Sequence, residues 1–219
     1  MCGRYALYGP SSRLKEHFGT DDWPDWADRY NMAPSLDVPV VRRAPDRQRV
    51  AHLLRWGLVP HWAKDTSIGA RLNNARAETV AGKPSFRNAF ARRRCLIPAC
   101  GYYEWQAVPG ERKQPWYITL QGDAPMAMGG LWESWMAPDG SVLRTCCVIT
   151  TGPNEIMAPI HDRMPVIVEP AHWARWLAPD SVDVGDLLAP LDAGRMQARR
   201  VSRAVSNARN EGPELIAAA

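Results

Sequence analysis

A cysteine stands directly behind the initiator methionine, in Met1-Cys2-Gly3-Arg4. Removal of Met1, which so small a second residue permits, would leave Cys2 as an N-terminal 1,2-aminothiol, with two nucleophiles on adjacent carbons. An aldehyde is then captured first by the α-amine, as a Schiff base, and next by the thiolate. The product is a five-membered thiazolidine ring that hydrolyses far less readily than the imine. An α-amino group has a pKa of roughly 7.7 to 8 against about 10.4 for lysine, so near neutral pH a sizeable minority of it is unprotonated. Cys2 is therefore a candidate covalent nucleophile needing little activation. A cysteine that simply starts a buried strand fits the position as well.

Four further segments gather reactive or polar residues. In Leu72-Asn73-Asn74-Ala75-Arg76-Ala77-Glu78-Thr79 the polar groups alternate, so on an extended segment Asn74, Arg76 and Glu78 share one face; an exposed polar strand gives the same pattern. In Gly101-Tyr102-Tyr103-Glu104-Trp105 a carboxylate is wedged between aromatics, where desolvation raises a pKa and lets Glu104 donate as well as accept protons. The alternative is a strand residue whose carboxylate faces water. His161, in Ile160-His161-Asp162-Arg163-Met164-Pro165, titrates in the range useful for proton shuttling, although a lone histidine also serves structure. Finally, Val201-Ser202-Arg203-Ala204-Val205-Ser206-Asn207-Ala208-Arg209-Asn210 offers small donors and arginines that suit phosphates or a solvated edge.

The elements that must position these groups are drawn from 219 residues, 46% of them hydrophobic, enough for a sizeable core in a single domain spanning 1–219. Short apolar, β-branched runs predict strands at 4–7, 38–41, 50–56, 95–98, 116–120, 126–132, 145–150, 166–168 and 200–205. Helices are expected at 11–18 with Gly19 as the stop, and at 86–93, 154–159, 171–177 and 182–188. Many strands with scattered helices point to an α+β fold, a largely antiparallel, barrel-like β-sheet core with short peripheral helices.

Five cysteines, with Cys146 and Cys147 adjacent and Cys95 and Cys100 close, match neither a disulfide framework nor a zinc-ligand pattern. A reducing, cytoplasmic compartment and no bound metal are the expectation. No stretch approaches the roughly 20 apolar residues of a membrane span. The net charge of +4 rests on 23 arginines against four lysines (Lys15, Lys64, Lys83 and Lys113), and ten tryptophans accompany them. Arginine with exposed aromatics is the chemistry of single-stranded nucleic-acid grooves. A GC-rich genome produces the same composition, and tryptophans also fill cores.

Taken together the segments resemble the SRAP family, the SOS-response-associated peptidases that shield abasic sites in single-stranded DNA. The resemblance runs nearly end to end through Met1-Cys2-Gly3-Arg4-Tyr5, Arg29-Tyr30-Asn31-Met32-Ala33-Pro34, Trp56-Gly57-Leu58-Val59-Pro60 with Trp62, Asn74-Ala75-Arg76-Ala77-Glu78-Thr79, Pro98-Ala99-Cys100-Gly101-Tyr102-Tyr103-Glu104-Trp105, His161-Asp162-Arg163-Met164-Pro165, and the stretch from Val201-Ser202 through Asn207 to Gly212-Pro213-Glu214. It implies a thiazolidine DNA–protein crosslink at Cys2. In that scheme Asn74 orients the α-amine and the sugar, Glu104 moves protons during ring opening and imine formation, and His161 serves the Schiff-base step. Arg4, Arg76 and Arg163 are the implied phosphate grips. Trp62, with Asn31 and Pro34, would border a kinked strand, and Thr150, Ser202 and Asn207 complete the implied DNA contacts. Ala63 departs from the second aromatic of bacterial members, which puts stacking at Trp62 in question.

The resemblance also implies β-elimination as a companion abasic-site lyase activity, autoprocessing peptidase activity, no cofactor, and a monomer acting on chromosomal DNA. Three rivals stand beside it: an N-terminal-nucleophile amidohydrolase or glutamine amidotransferase, a cysteine peptidase using Cys2 and His161, and a DNA-binding module without chemistry.

Overall fold

Runs of β-branched and aromatic residues cut by glycine and proline favour short strands over long helices, and the computed structural model is built accordingly. It describes residues 2–46, 48–179 and 183–219. The first six strands are β1 (Tyr5–Leu7), β2 (Arg29–Met32), β3 (Asp37–Arg43), β4 (Arg49–Trp56), β5 (Asn74–Arg76) and β6 (Arg94–Ala99). The remainder are β7 (Gly101–Gln106), β8 (Gln114–Leu120), β9 (Met126–Met136), β10 (Val142–Thr151), β11 (Met164–Pro165) and β12 (Met196–Arg200). Three short α-helices lie between them: α1 (Ser11–Phe18), α2 (Arg87–Arg92) and α3 (Trp173–Leu177).

Strands β3, β4, β6, β9 and β10 close into a barrel, because β10 pairs with both β4 and β9. Every contact around the ring is antiparallel except β4 with β10, whose register sets Arg55 beside Thr145 and Trp56 beside Cys146. A second, wholly antiparallel sheet runs β12-β8-β7-β1-β2. The chain passes from barrel to sheet at Cys100, whose backbone N–H donates to the Ala6 carbonyl at 2.8 Å. Gly101 is required here, since a Cβ would sit 2.4 Å from the Tyr117 ring.

Helix α1 follows its sequence signals. Leu14 and Phe18 are buried, and Gly19 ends it at φ 61°, a left-handed conformation that costs glycine nothing. Phe18 then stacks on Trp173 of α3, ring centroids 5.1 Å apart.

Four expected elements take other forms. Residues 154–159 make hydrogen-bonded turns instead of a helix, because the Asn154 side chain accepts the Met157 N–H and Pro159 cannot continue the ladder. Residues 166–168 are extended but reach their neighbours through the isolated Met128–Ile167 bridge and single hydrogen bonds. The strand expected at 200–205 ends at Arg200, where Ser202 accepts the Ala204 N–H and starts a 3-10 turn over Arg203–Ser206. The helix expected at 182–188 begins outside the described residues, and its described part is a 3-10 turn at Gly185–Leu188.

Candidate active site

Cys2 lies three residues before the first residue of β1 and is fully buried. Strand β1 lies against β7, with Tyr5 opposite Tyr102 and the Arg4 carbonyl accepting the Tyr103 N–H at 2.9 Å. Alternation along β7 sends Tyr103 to the small cluster with Ala6, Tyr117, Val201, Val205 and Leu215, and therefore places Tyr102 and Glu104 on the opposite face. Strand β5 is only three residues long and pairs in parallel with β10, Asn74 beside Val148 and Arg76 beside Thr150. That pairing carries Asn74 to the N-terminal strand, where its Nδ2 donates to the Cys2 carbonyl at 2.8 Å. The Asn74 Oδ1 is buried with no hydrogen-bond partner among the described residues, an acceptor ready for a donor such as an amine.

Glu104 is 3% exposed. Burial pushes its carboxyl from 4.5 up to about 8, so at neutral pH most of it is protonated. His161 follows the turn at residues 154–160, and its backbone N–H is fixed to the Met157 carbonyl at 2.8 Å. Its Nε2 lies 3.7 Å from Glu104 Oε2, beyond direct hydrogen-bond range. Its Nδ1 accepts the Arg163 N–H at 3.0 Å, which assigns the proton of a neutral ring to Nε2, facing Glu104. The exposed Asp162 carboxylate, 3.0 Å from the same Nδ1, is then an ion-pair partner only of the protonated ring. Burial lowers the His161 pKa, which favours the neutral ring. Desolvation thus neutralises both members: an uncharged carboxyl able to give a proton stands beside an uncharged imidazole whose Nε2–H faces it.

Burial also pushes the Cys2 thiol well above its ordinary value, with Glu104 adding to the rise. The expectation that Cys2 needs little activation is therefore corrected. In this pocket it is a thiol, not a thiolate, and its proton must be removed during attack. The five cysteines are all free and buried. No group of three or more His, Cys, Asp or Glu able to hold a metal occurs among the described residues.

The residues expected at DNA divide into two sets. Trp62 is 51% exposed, and Arg76, Ser202 and Asn207 are also at the surface. Pro34 is half-buried. Arg163 is held by both Glu78 carboxylate oxygens and by the Thr150 carbonyl, the last at 2.6 Å. Arg4 donates to Asn31 Oδ1 at 2.7 Å and to the Val205 carbonyl, and lies over the Trp105 ring. Thr150 and Asn31 are fully buried. The Asn31 Nδ2 donates to the carbonyls of Val205, Asn207 and Asn210 at 2.9–3.2 Å, so Asn31 holds the segment that presents Asn207. Glu78 is the surprise. The alternation pattern put it on one face with Asn74 and Arg76, but the strand ends at Arg76 and a turn swings Glu78 onto Arg163.

Three residues at the site escaped the sequence reading. Tyr5 and Tyr102 bury hydroxyls that have no partner among the described residues, and the thiol of Cys2 adds to the burial that pushes both phenols up. Gln106, two residues beyond Glu104 on the same strand, donates to the Pro159 carbonyl at 3.0 Å and braces the turn that carries His161. The period of two from Glu104 was the available signal for Gln106 and Tyr102.

The family model for "SOS response associated peptidase (SRAP)" matches residues 1–208. The abasic site processing protein YoqW of Bacillus subtilis (strain 168) is 42% identical over 222 residues, covering 99% of each chain. The abasic site processing protein HMCES of Xenopus tropicalis is 30% identical, covering all of this chain and 78% of its own. A crystal structure from Bacteroides thetaiotaomicron superposes over the full length of both chains with a TM-score of 0.89 at 24% identity, a likeness of fold. One from Bordetella bronchiseptica gives 0.82 at 26% identity over 92% of this chain and all of that one.

Proposed function

Because the chain belongs to the SOS response associated peptidase (SRAP) family, we propose that it processes abasic sites in DNA by capturing their ring-opened aldehyde on an N-terminal Cys2 freed of Met1. The observation that carries this reading is the convergence on Cys2 of a fixed amide and a neutral proton-exchanging pair. Asn74 grips the Cys2 carbonyl and leaves its own oxygen open. Glu104 and His161 stand within 3.7 Å of each other.

The α-amine adds to the aldehyde to give a carbinolamine. The Glu104 carboxyl protonates its hydroxyl, which leaves as water, and the C=N bond forms. The Cys2 thiol then adds to the imine carbon, closing the thiazolidine, and its proton passes to the Glu104–His161 pair. One water is lost overall. Loss of the 2-proton from the same imine would instead expel the 3′-phosphate by β-elimination, the lyase branch. A raised thiol pKa favours the amine as first nucleophile over a peptidase-like thiolate attack. Trp62, Arg76, Ser202 and Asn207 are exposed to meet a single strand, and Arg163 joins them when phosphate displaces Glu78. The unit acting is a monomer.

The test is a denaturing gel of processed protein with a single-stranded oligonucleotide carrying one abasic site. A heat-stable adduct that disappears in Cys2→Ala and in protein bearing one extra residue before Cys2 supports the aminothiol reading. Activity that survives the extension points to a peptidase-type thiol. Glutamine hydrolysis without DNA capture points to an amidohydrolase.

A further inference from the structure

Two adjoining clefts on the barrel wall take no part in the chemistry above. One, of about 620 Å³, contains His61, Arg92, Trp132 and the buried Glu133. The other, of about 630 Å³, is lined by Arg42, Arg43, Arg92, Arg94 and Trp132. Arg92 and Trp132 belong to both, so the two form one continuous groove.

Its charge is unbalanced. The Glu133 carboxylate is 3% exposed and already engaged by Arg93 and by the backbone and ring nitrogens of His61. Arg94 spends its N–H groups on the carbonyls of Phe90, Ala91, Trp176 and Ala178, none of them an anion. Arg42, Arg43 and Arg92 have no carboxylate and no side-chain hydrogen-bond partner among the described residues, and Arg42 Nε is buried without one. The Arg42 guanidinium lies 4.9 Å from the centroid of Trp132. Burial and the nearby Arg144 both disfavour its charge. Cations held together at such a cost are the pattern of a site completed by an anion.

The groove is also placed to meet a long ligand. Arg144 and Thr150 share β10, and six residues of strand span about 20 Å. Thr150 backs Arg163 at the Cys2 end. His61 lines the groove and its neighbour Trp62 is exposed. At about 3.4 Å per nucleotide in a duplex strand, roughly six nucleotides bridge that distance.

We propose that this arginine–tryptophan groove is a second nucleic-acid contact, gripping the phosphodiester backbone of the arm that leads away from the lesion. It rests on the DNA-processing reading but not on the thiazolidine chemistry, so the two can fail separately. A single phosphate would need less than two clefts with arginines from β3, β6 and α2.

The test uses the full chain, with Arg43→Gln/Arg92→Gln as the main variant and Arg92→Gln, on the exposed face of α2, as the second in case the pair impairs folding. Binding of undamaged oligonucleotides with short (4-nucleotide) and long (20-nucleotide) lengths, single-stranded or duplex, is followed from 50 to 300 mM salt. Abasic crosslinking of a 5-nucleotide substrate is followed beside it. The proposal expects the slope of log affinity against log salt on the long single strand to fall by about 1.4 in the double variant and about 0.7 in Arg92→Gln. Short-strand binding and short-substrate crosslinking stay at wild-type levels. A loss confined to duplex would identify a double-stranded arm, with about 0.9 per contact. Unchanged slopes on every long ligand would overturn the proposal. Absence of any crosslink with these binding effects intact would overturn the covalent reading instead.

Discussion

Glu104→Gln exchanges an ionisable carboxyl for a neutral amide of the same shape at a position that is 3% exposed. Its carboxyl titrates near 8 in the fold instead of 4.5. Between those values the native state holds a proton that the unfolded chain has released, so wild-type stability falls as pH rises, by about 1.4 kcal/mol per pH unit. Across the whole window the loss is on the order of 5 kcal/mol. It is absent below pH 4.5 and complete above about 8. The glutamine variant has no such term. Urea midpoints measured for both proteins at five values from pH 5 to 9 should show the variant gaining steadily on the wild type up to pH 8 and then running parallel to it. Curves parallel throughout would mean that Glu104 is ionised in the fold, and the neutral-pair argument would be refuted. The same titration governs chemistry: crosslinking that needs protonated Glu104 declines as pH passes about 8.

Other perturbations follow from single contacts. Asn31→Ala removes the donor shared by the Val205, Asn207 and Asn210 carbonyls and one acceptor of Arg4, which keeps the Val205 carbonyl; it should cost about 1–3 kcal/mol in urea unfolding and loosen residues 205–210 in hydrogen exchange. Glu78→Gln frees Arg163 from a competing carboxylate, so single-strand affinity should rise and its salt slope steepen by roughly 0.7, read by fluorescence anisotropy. Trp62→Ala should weaken single-strand binding by about 1–3 kcal/mol if a base stacks there, with no change in thermal midpoint. Gln106→Ala should slow crosslinking at saturating DNA while leaving affinity intact, because the Gln106 amide braces the turn carrying His161 and its oxygen accepts the Trp116 indole N–H, so neither end meets DNA.

Much of the scaffold was legible because it follows local rules. Leu14, Phe18 and Gly19 fix α1, and the apolar runs fix most of the strands. What escaped depends on contacts distant in sequence. Polar Arg29–Met32 and three-residue β5 are strands only because β1 and β10 lie beside them. Barrel closure rests on the parallel pairing of β4 with β10, which no turn signal announces. The site residues Cys2, Asn74, Glu104 and His161 were singled out by type and motif, and the fold joins Asn74 to Cys2 and Glu104 to His161. Their protonation was not legible in the same way. Cys2 was expected to need little activation on the strength of its α-amine, and only its complete burial shows a thiol that must be deprotonated in place. Asn31 looked like a DNA contact, and only carbonyls more than 170 residues away reveal that its amide is spent inside the protein.

The central claim is that the free amine and the thiol of Cys2 close a ring on an abasic-site aldehyde. Intact mass spectrometry of processed protein incubated with a single-abasic-site oligonucleotide tests it directly. The account predicts an adduct equal to protein plus DNA less one water, heat-stable and resistant to borohydride, since a thiazolidine has no C=N bond to reduce. An adduct trapped only by borohydride, or none from protein with a verified free N-terminal Cys2, would contradict it.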